Sequence, residues 1–303
     1  MTGTRAGALL AAGALVLASA AGSAGAAAWK AGGDQLYGPA SYVATSGFFE
    51  VGSAKGAYLR PSFASYHSDE IKATTAYAAR AGYTDKRWDA GAELSVTPKV
   101  AGYRNESVGA DATYSFYPRG GLSRVDLGGG IRRIAHKEDS TAPALVAART
   151  RAGRGRPGGP PGPGGEPAAI DAGETDISII SGAAWGDLDL DAQLTRSFYS
   201  DTLPELARAA ELSGTVGANP AVFGFPETSV SIKGSWTAWP RLKPSFRYSR
   251  TTYKQDGPAT SAYAFSLATK WAKVQVKGTC ELFDPGGGAG LQSYYGLGVT
   301  LRI

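Results

Sequence analysis

The chain has 303 residues, 43% hydrophobic, with 42 glycines and 15 tyrosines; 31 Lys and Arg against 26 Asp and Glu give a formal charge of +5. One cysteine excludes an internal disulfide framework, and two histidines leave little material for a metal centre or a nucleophile–base pair. Past the N-terminus no run of about 18 apolar residues occurs, so no membrane-spanning helix is expected and a single large β domain fits best.

Met1 to Arg5 is a short, weakly positive start, Ala6 to Ala20 is small and apolar, and Ala24-Gly25-Ala26 or Ala26-Ala27-Ala28 offers a small-residue cleavage site. This pattern predicts a signal peptide over residues 1–28, with the mature domain following. From there the chain alternates apolar and polar side chains, which places them on opposite faces of strands. Trp88, Ala90, Ala92, Leu94 and Val96 oppose Asp89, Glu93 and Ser95, and Val108, Ala110, Ala112, Tyr114 and Phe116 oppose Asp111, Thr113 and Ser115. Leu188, Leu190 and Leu194 oppose Asp187, Asp189, Asp191 and Gln193, and the pattern recurs at 230–237, 263–271 and 274–282. Thirteen strands are predicted, near 40–51, 55–67, 70–83, 87–97, 107–117, 122–135, 174–185, 186–199, 226–238, 242–254, 260–271, 272–283 and 291–303.

Tight turns at Tyr117–Gly121, Trp185-Gly186-Asp187, Trp239-Pro240-Arg241 and Trp271-Ala272-Lys273 alternate with long loops near 137–172 and 200–225. The first long loop carries Arg149, Arg151, Arg154 and Arg156 and then Pro157 to Gly165, a composition that builds no core and is expected to be disordered. Arg154-Gly155-Arg156-Pro157 matches the core of a minor-groove AT-hook, but four residues in an exported chain do not make a nucleic-acid partner. Residues 203–213 have the composition of a short helix in the second loop. Cys280 falls among the apolar side chains of its strand.

The chain ends on Tyr295, Leu297, Val299, Leu301 and Ile303, alternating with Gly296, Gly298, Thr300 and Arg302. This strand resembles the closing strand of bacterial outer-membrane β-barrels (porin-like), in which a tyrosine, alternate apolar residues and a terminal aromatic form an address for the barrel-assembly machinery. Ile303 stands where that family carries Phe or Trp. The resemblance implies an all-β, transmembrane, antiparallel up-and-down barrel in the cell outer membrane of a Gram-negative envelope, in contact with lipid and lipopolysaccharide. Such barrels have even strand numbers. Fourteen results if Thr97-Pro98-Lys99 is a turn followed by a short strand, and twelve if the first predicted strand does not span.

One face of the strands then lines a lumen. Arg60, Lys72, Arg80, Asp89, Glu93, Asp111, Arg124, Asp126, Arg132 and Arg302 belong to it, and the selectivity candidates are Asp187, Asp189, Asp191, Lys233, Lys243, Arg247, Lys273, Lys277 and Glu281. The leading expectation is passive or weakly selective diffusion of small polar solutes, with no cofactor or metal. A closed barrel serving as surface scaffold, adhesion platform or envelope anchor competes with it. A hydrolase ranks third, because His67 and His136 lie beside acids but in no recognisable catalytic spacing.

Overall fold

The computed structural model describes residues 28–52, 56–69, 73–100, 103–119, 121–138, 170–200, 225–237, 239, 241–254, 258–288 and 290–302. The residues before Ala28, the four arginines of the first long loop with the Pro/Gly segment, the 203–213 segment, Lys72 and Ile303 lie outside them.

Alternation of apolar and polar residues gives each strand one oily face, and antiparallel pairing lays those faces side by side. The strands are β1 (Ala28–Gly38), β2 (Tyr42–Gly52), β3 (Gly56–His67), β4 (Thr74–Thr84), β5 (Trp88–Val100), β6 (Tyr103–Phe116) and β7 (Arg124–Glu138), then β8 (Ile170–Trp185), β9 (Leu188–Tyr199), β10 (Pro226–Trp236), β11 (Leu242–Tyr253), β12 (Thr260–Trp271), β13 (Val274–Asp284) and β14 (Gln292–Arg302). Each pairs antiparallel with its sequence neighbours, and β1 pairs with β14 to close the barrel. No helix among the described residues is long and apolar enough to cross a membrane, and the barrel crosses with strands instead.

The wall is oily on the outside. Ile131 faces Ile177 across one pair and Ile179 faces Leu194 across another, and all four are exposed, Ile179 by 62%. Opposite parity puts Asp126, Glu174, Ser197 and Ser235 inside, where they are buried. A soluble barrel would bury the isoleucines, so this polarity means that the outer solvent is lipid. All six tryptophans, at positions 29, 88, 185, 236, 239 and 271, lie at the end of the barrel that carries the chain termini. They form a girdle with Tyr83, Phe116 and Tyr117 at one headgroup level. From Trp29 to Tyr37 on β1 is about 26 Å along the strand, or about 21 Å of depth at 35° tilt, close to the apolar height such barrels present.

Hydrogen-bonded rows climb as they circle. The row through Gly33 rises by way of Gly47, Phe63, Tyr77, Val96, Glu106 and Ala135 to Gly173, near the loop end of β8. In the other direction it falls through Val299, Val276 and Thr269 to Leu242, at the foot of β11. That slope is about one residue per strand, which corresponds to a tilt of about 35° and, for fourteen strands, a wall about 26 Å across between backbones.

The fourteenth strand is not where the sequence pattern placed it. Thr97, Pro98 and Lys99 are no turn: they belong to β5, and the proline sits where the β5–β6 register shifts between Thr97 and Val100, a position that tolerates a missing N–H. The additional strand is β1, ahead of the first predicted one, and its alternation is faint because Gly33 and Gln35 occupy the outward face between Trp29 and Tyr37. The Gly128-Gly129-Gly130 run lies inside β7, where a Cβ on Gly128 would meet the Thr113 backbone at 2.8 Å, so glycine there permits close strand approach. Gly186, at φ +57°, makes the tight β8–β9 turn.

Candidate functional site in the barrel lumen

Because rows climb, charges distant in sequence become neighbours along two oblique ribbons inside the barrel. The first runs Arg302, Lys30, Glu50, Arg60, Arg80, Glu93, Gly109, Arg132 and Asp176, each opposite the next except that Glu50 meets Arg60 through an ion pair. The second, on the other wall, runs Asp126, Gly182, Asp191, Lys233, Arg247, Ala264 and Glu281.

Within the first ribbon Arg80 is the most heavily engaged cation. Its Nη1 and Nη2 donate to both oxygens of Asp111 at 2.6 and 2.8 Å, and its Nε donates to the Tyr58 hydroxyl at 2.9 Å. The planar fork of a guanidinium matches a carboxylate in this way, so the pair is both oriented and strong. Arg60 joins Glu50 and lies over the rings of Phe48 and Tyr58, at 5.5 and 5.3 Å from their centroids. Arg132 differs, because its donors meet hydroxyls, those of Ser107 at 3.0 and 3.1 Å and Ser95 at 3.3 Å. It forms no ion pair among the described residues, although Asp176 stands opposite it on β8.

Of the selectivity candidates, Asp189 and Asp191 on β9, Lys233 on β10, Lys243 and Arg247 on β11, and Lys277 and Glu281 on β13 all face inward. Most are paired: Lys233 with Asp191 at 3.7 Å, Lys243 with Asp189 at 3.5 Å and Lys277 with Asp34 at 3.4 Å. Arg124 bridges Asp126 at 2.8 Å and Asp189 at 3.4 Å. Asp187 and Lys273 stand apart in terminus-side turns, where their carbonyls accept from the Thr237 and Arg302 amides at 2.9 and 2.8 Å. The sequence pattern weighted the strands after residue 230 and overlooked Lys30, Asp34, Glu50 and Asp176 as lumen charges. Glu50 was legible in principle, since it shares a parity with Phe48 and Tyr42 on the inward face of β2.

Two open chambers of about 400 and 300 Å³ lie against this wall. Ser46, Phe48, Arg60 and Ser62 line the first, Asp111, Gly130, Ser178 and Gln193 line the second, and Arg80, Glu93 and Arg132 border both. Towards the loop-side rim, Tyr42, Tyr66, Phe283 and Tyr294 pack inward as a buried cluster. Across from it His136 and Glu174 are in contact at 2.8 Å, and the His136 ring meets Phe225 edge-on. His67 ends β3, facing outward opposite Val43. Cys280 also faces outward, between Phe265 and Tyr295. Among the described residues no group of acids, histidines and cysteine is arranged to hold a metal ion.

An oily outer wall, an aromatic girdle and a charged interior define a transmembrane β-barrel of the outer-membrane kind. No protein-family model matches the sequence, and no curated protein does. Among solved structures the chain is similar to OccK5 (OpdH) of Pseudomonas aeruginosa, to a bacterial polysaccharide outer membrane secretin and to a BenF-like porin from Pseudomonas fluorescens Pf-5. Each is 10% identical, with 91% of this chain and 98% of the other covered, at TM-scores of 0.43, 0.48 and 0.43 respectively. These are likenesses of barrel architecture, and no lumen residue is carried over from them.

Proposed function

We propose that the protein is an outer-membrane pore for passive, weakly selective diffusion of small polar solutes. The observation that carries this reading is the pair of chambers that meet at Arg80, Glu93 and Arg132. Space inside a barrel that side chains leave unfilled, walled by fixed charges, lets a solute exchange hydration for polar contacts that are weak enough to release it. The paired charges Lys233–Asp191, Lys243–Asp189 and Lys277–Asp34 present both signs and favour polar solutes generally, while Arg132 adds a local preference for anions. Insertion is ascribed to the barrel-assembly machinery reading β14, whose Tyr295, Leu297, Val299 and Leu301 face outward. The cationic loop carrying Arg149, Arg151, Arg154 and Arg156 would add contacts at the outer surface, and no catalytic step is assigned. The competing reading, a closed barrel whose loops do the work, draws on the aromatic cluster of Tyr42, Tyr66, Phe283 and Tyr294 at the rim.

Conductance of the refolded protein in a planar bilayer separates the two, with heat-modifiable gel mobility confirming closure. Unit steps with an anion preference that falls in Arg132→Gln are expected. A closed barrel that gives no steps would overturn the pore and favour the scaffold.

A further inference from the structure

Three arginines break the oily outer wall, and they do so on alternate strands. Arg133 of β7 stands between Val108 and Thr175, Arg196 of β9 between Ile177 and Thr228, and Arg250 of β11 between Val230 and Ser261. Since neighbours in a row share a face, all three point away from the lumen, and all are exposed.

They also stand at one depth. A row rises about one residue per strand, so a residue two strands further on is level when it lies two places below that row. The row of Arg133 reaches Phe198 on β9, two places above Arg196. The row of Arg196 reaches Thr252 on β11, two places above Arg250. The same level passes on through Leu282 of β13 to Tyr37 of β1, the tyrosine that ends the apolar span begun by Trp29. The arginines therefore occupy the headgroup level on the loop side, one about every 12 Å around five strands. Placed deeper, outward guanidinium groups would be strongly destabilising; at this level they are tolerated and reach the interface.

The level also fixes what they meet. Just below lie Ile131, Ile177, Ile179 and Leu194, exposed apolar surface suited to acyl chains. Beside the arginines lie the hydroxyl residues Thr175, Thr228 and Ser261, and two acids share the outer face, the exposed Glu106 two residues from Val108 on β6 and Asp284 opposite Ser261. Arg196 donates to Thr228 at 3.3 Å and pairs with Glu227 at 3.0 Å. Arg133 and Arg250 form no ion pair among the described residues. Elsewhere this level carries Ser65 on β3 and Val96 on β5, so the positive charge is confined to one side of the barrel.

We propose that the outer face of β7 to β11 is a binding site for phosphate-bearing lipid headgroups of the surrounding leaflet, with Arg133, Arg196 and Arg250 as the phosphate donors. Guanidinium groups bind phosphate through paired N–H bonds, and the isoleucine and leucine surface below holds the chains of the same lipid. The site rests on the barrel spanning a membrane, but not on its lumen being open.

The test is lipid retention by the refolded protein from mixed micelles containing diphosphoryl lipid A, its dephosphorylated form and zwitterionic phosphatidylcholine, quantified by mass spectrometry after gel filtration. Wild type is expected to retain the diphosphoryl lipid several-fold over the other two. The R133Q/R196Q/R250Q variant should lose most of that excess, while Arg119→Gln, in a terminus-side turn, keeps it. Equal retention by wild type and the triple variant, or no preference for phosphate in wild type, overturns the proposal. If the triple variant does not close, Arg133→Gln and Arg250→Gln singly carry the same comparison. A wild-type protein that fails to insert into vesicles at all would count against the membrane reading, a result distinct from insertion without lipid preference.

Discussion

Replacing Asp111 by Asn tests whether the lumen charges hold the wall together or merely decorate it. The change removes a bidentate partner of Arg80 where the two side chains are 33% and 18% exposed, which is partly but not fully wet. A hydrogen bond to a charged group contributes about 1.5–3 kcal/mol, and the residual solvation together with the remaining Tyr58 contact argues for the lower end, about 1.5 kcal/mol. With a urea dependence of about 2 kcal/mol per molar, the unfolding midpoint should fall by about 0.7 M. Intrinsic tryptophan fluorescence in lipid vesicles, checked by gel mobility, reads this directly. The decisive quantity is the coupling between Asp111→Asn and Arg80→Gln in a double-mutant cycle, expected at about 1 kcal/mol. A coupling below about 0.3 kcal/mol would refute the reasoning, because the pair would then behave as two independently solvated charges.

Gly128→Ala should destabilise by about 1–3 kcal/mol, since its Cβ meets the Thr113 backbone, whereas Gly278→Ala, with open space around it, should stay within about 0.5 kcal/mol by the same urea measurement. In the β4–β5 turn Asp85 accepts the Arg87 and Trp88 amides at 2.6 and 2.8 Å, which holds its carboxyl below the ordinary value. A depressed native pKa gives stability that is present above the unfolded carboxylate pKa of about 4 and is lost as pH falls through the native value, so the wild-type advantage over Asp85→Ala should shrink on acidification. An advantage independent of pH between about 7 and 2 would contradict it. Finally, lipids brominated near the headgroup should quench the tryptophan emission more strongly than lipids brominated at mid-chain. Strong mid-chain quenching would mean that the single-level girdle is misplaced.

The barrel was legible because most strands carry large side chains on one parity. Leu188, Leu190 and Leu194, or Tyr263, Phe265 and Leu267, leave no doubt about which face meets lipid. β1 escaped notice because the residues between its aromatic ends are small or polar, and pairing to β2 and β14 supplies what its own composition lacks. The lumen was half legible. Parity tells which charges point inward, but the neighbours of each are set by the row slope, a property of the closed ring and not of any one strand. Asp34 with Lys277, or Arg80 with Asp111, brings together residues of different strands that no local spacing announces. The level arrangement of Arg133, Arg196 and Arg250 is of the same kind.

Thirteen of the fourteen strand pairings join sequence neighbours, and the remaining one, β1 with β14, joins the two ends of the chain. Until that last pairing forms, any partial assembly in lipid has two open edges, each a ladder of amides and carbonyls with no water to satisfy them. Every added strand moves the edge without removing it, so cost persists along the whole assembly path and disappears only at ring closure. A wall of this kind has no comfortable half-built form in lipid, and truncation by even one strand from either end should yield aggregates or degradation fragments instead of a smaller barrel.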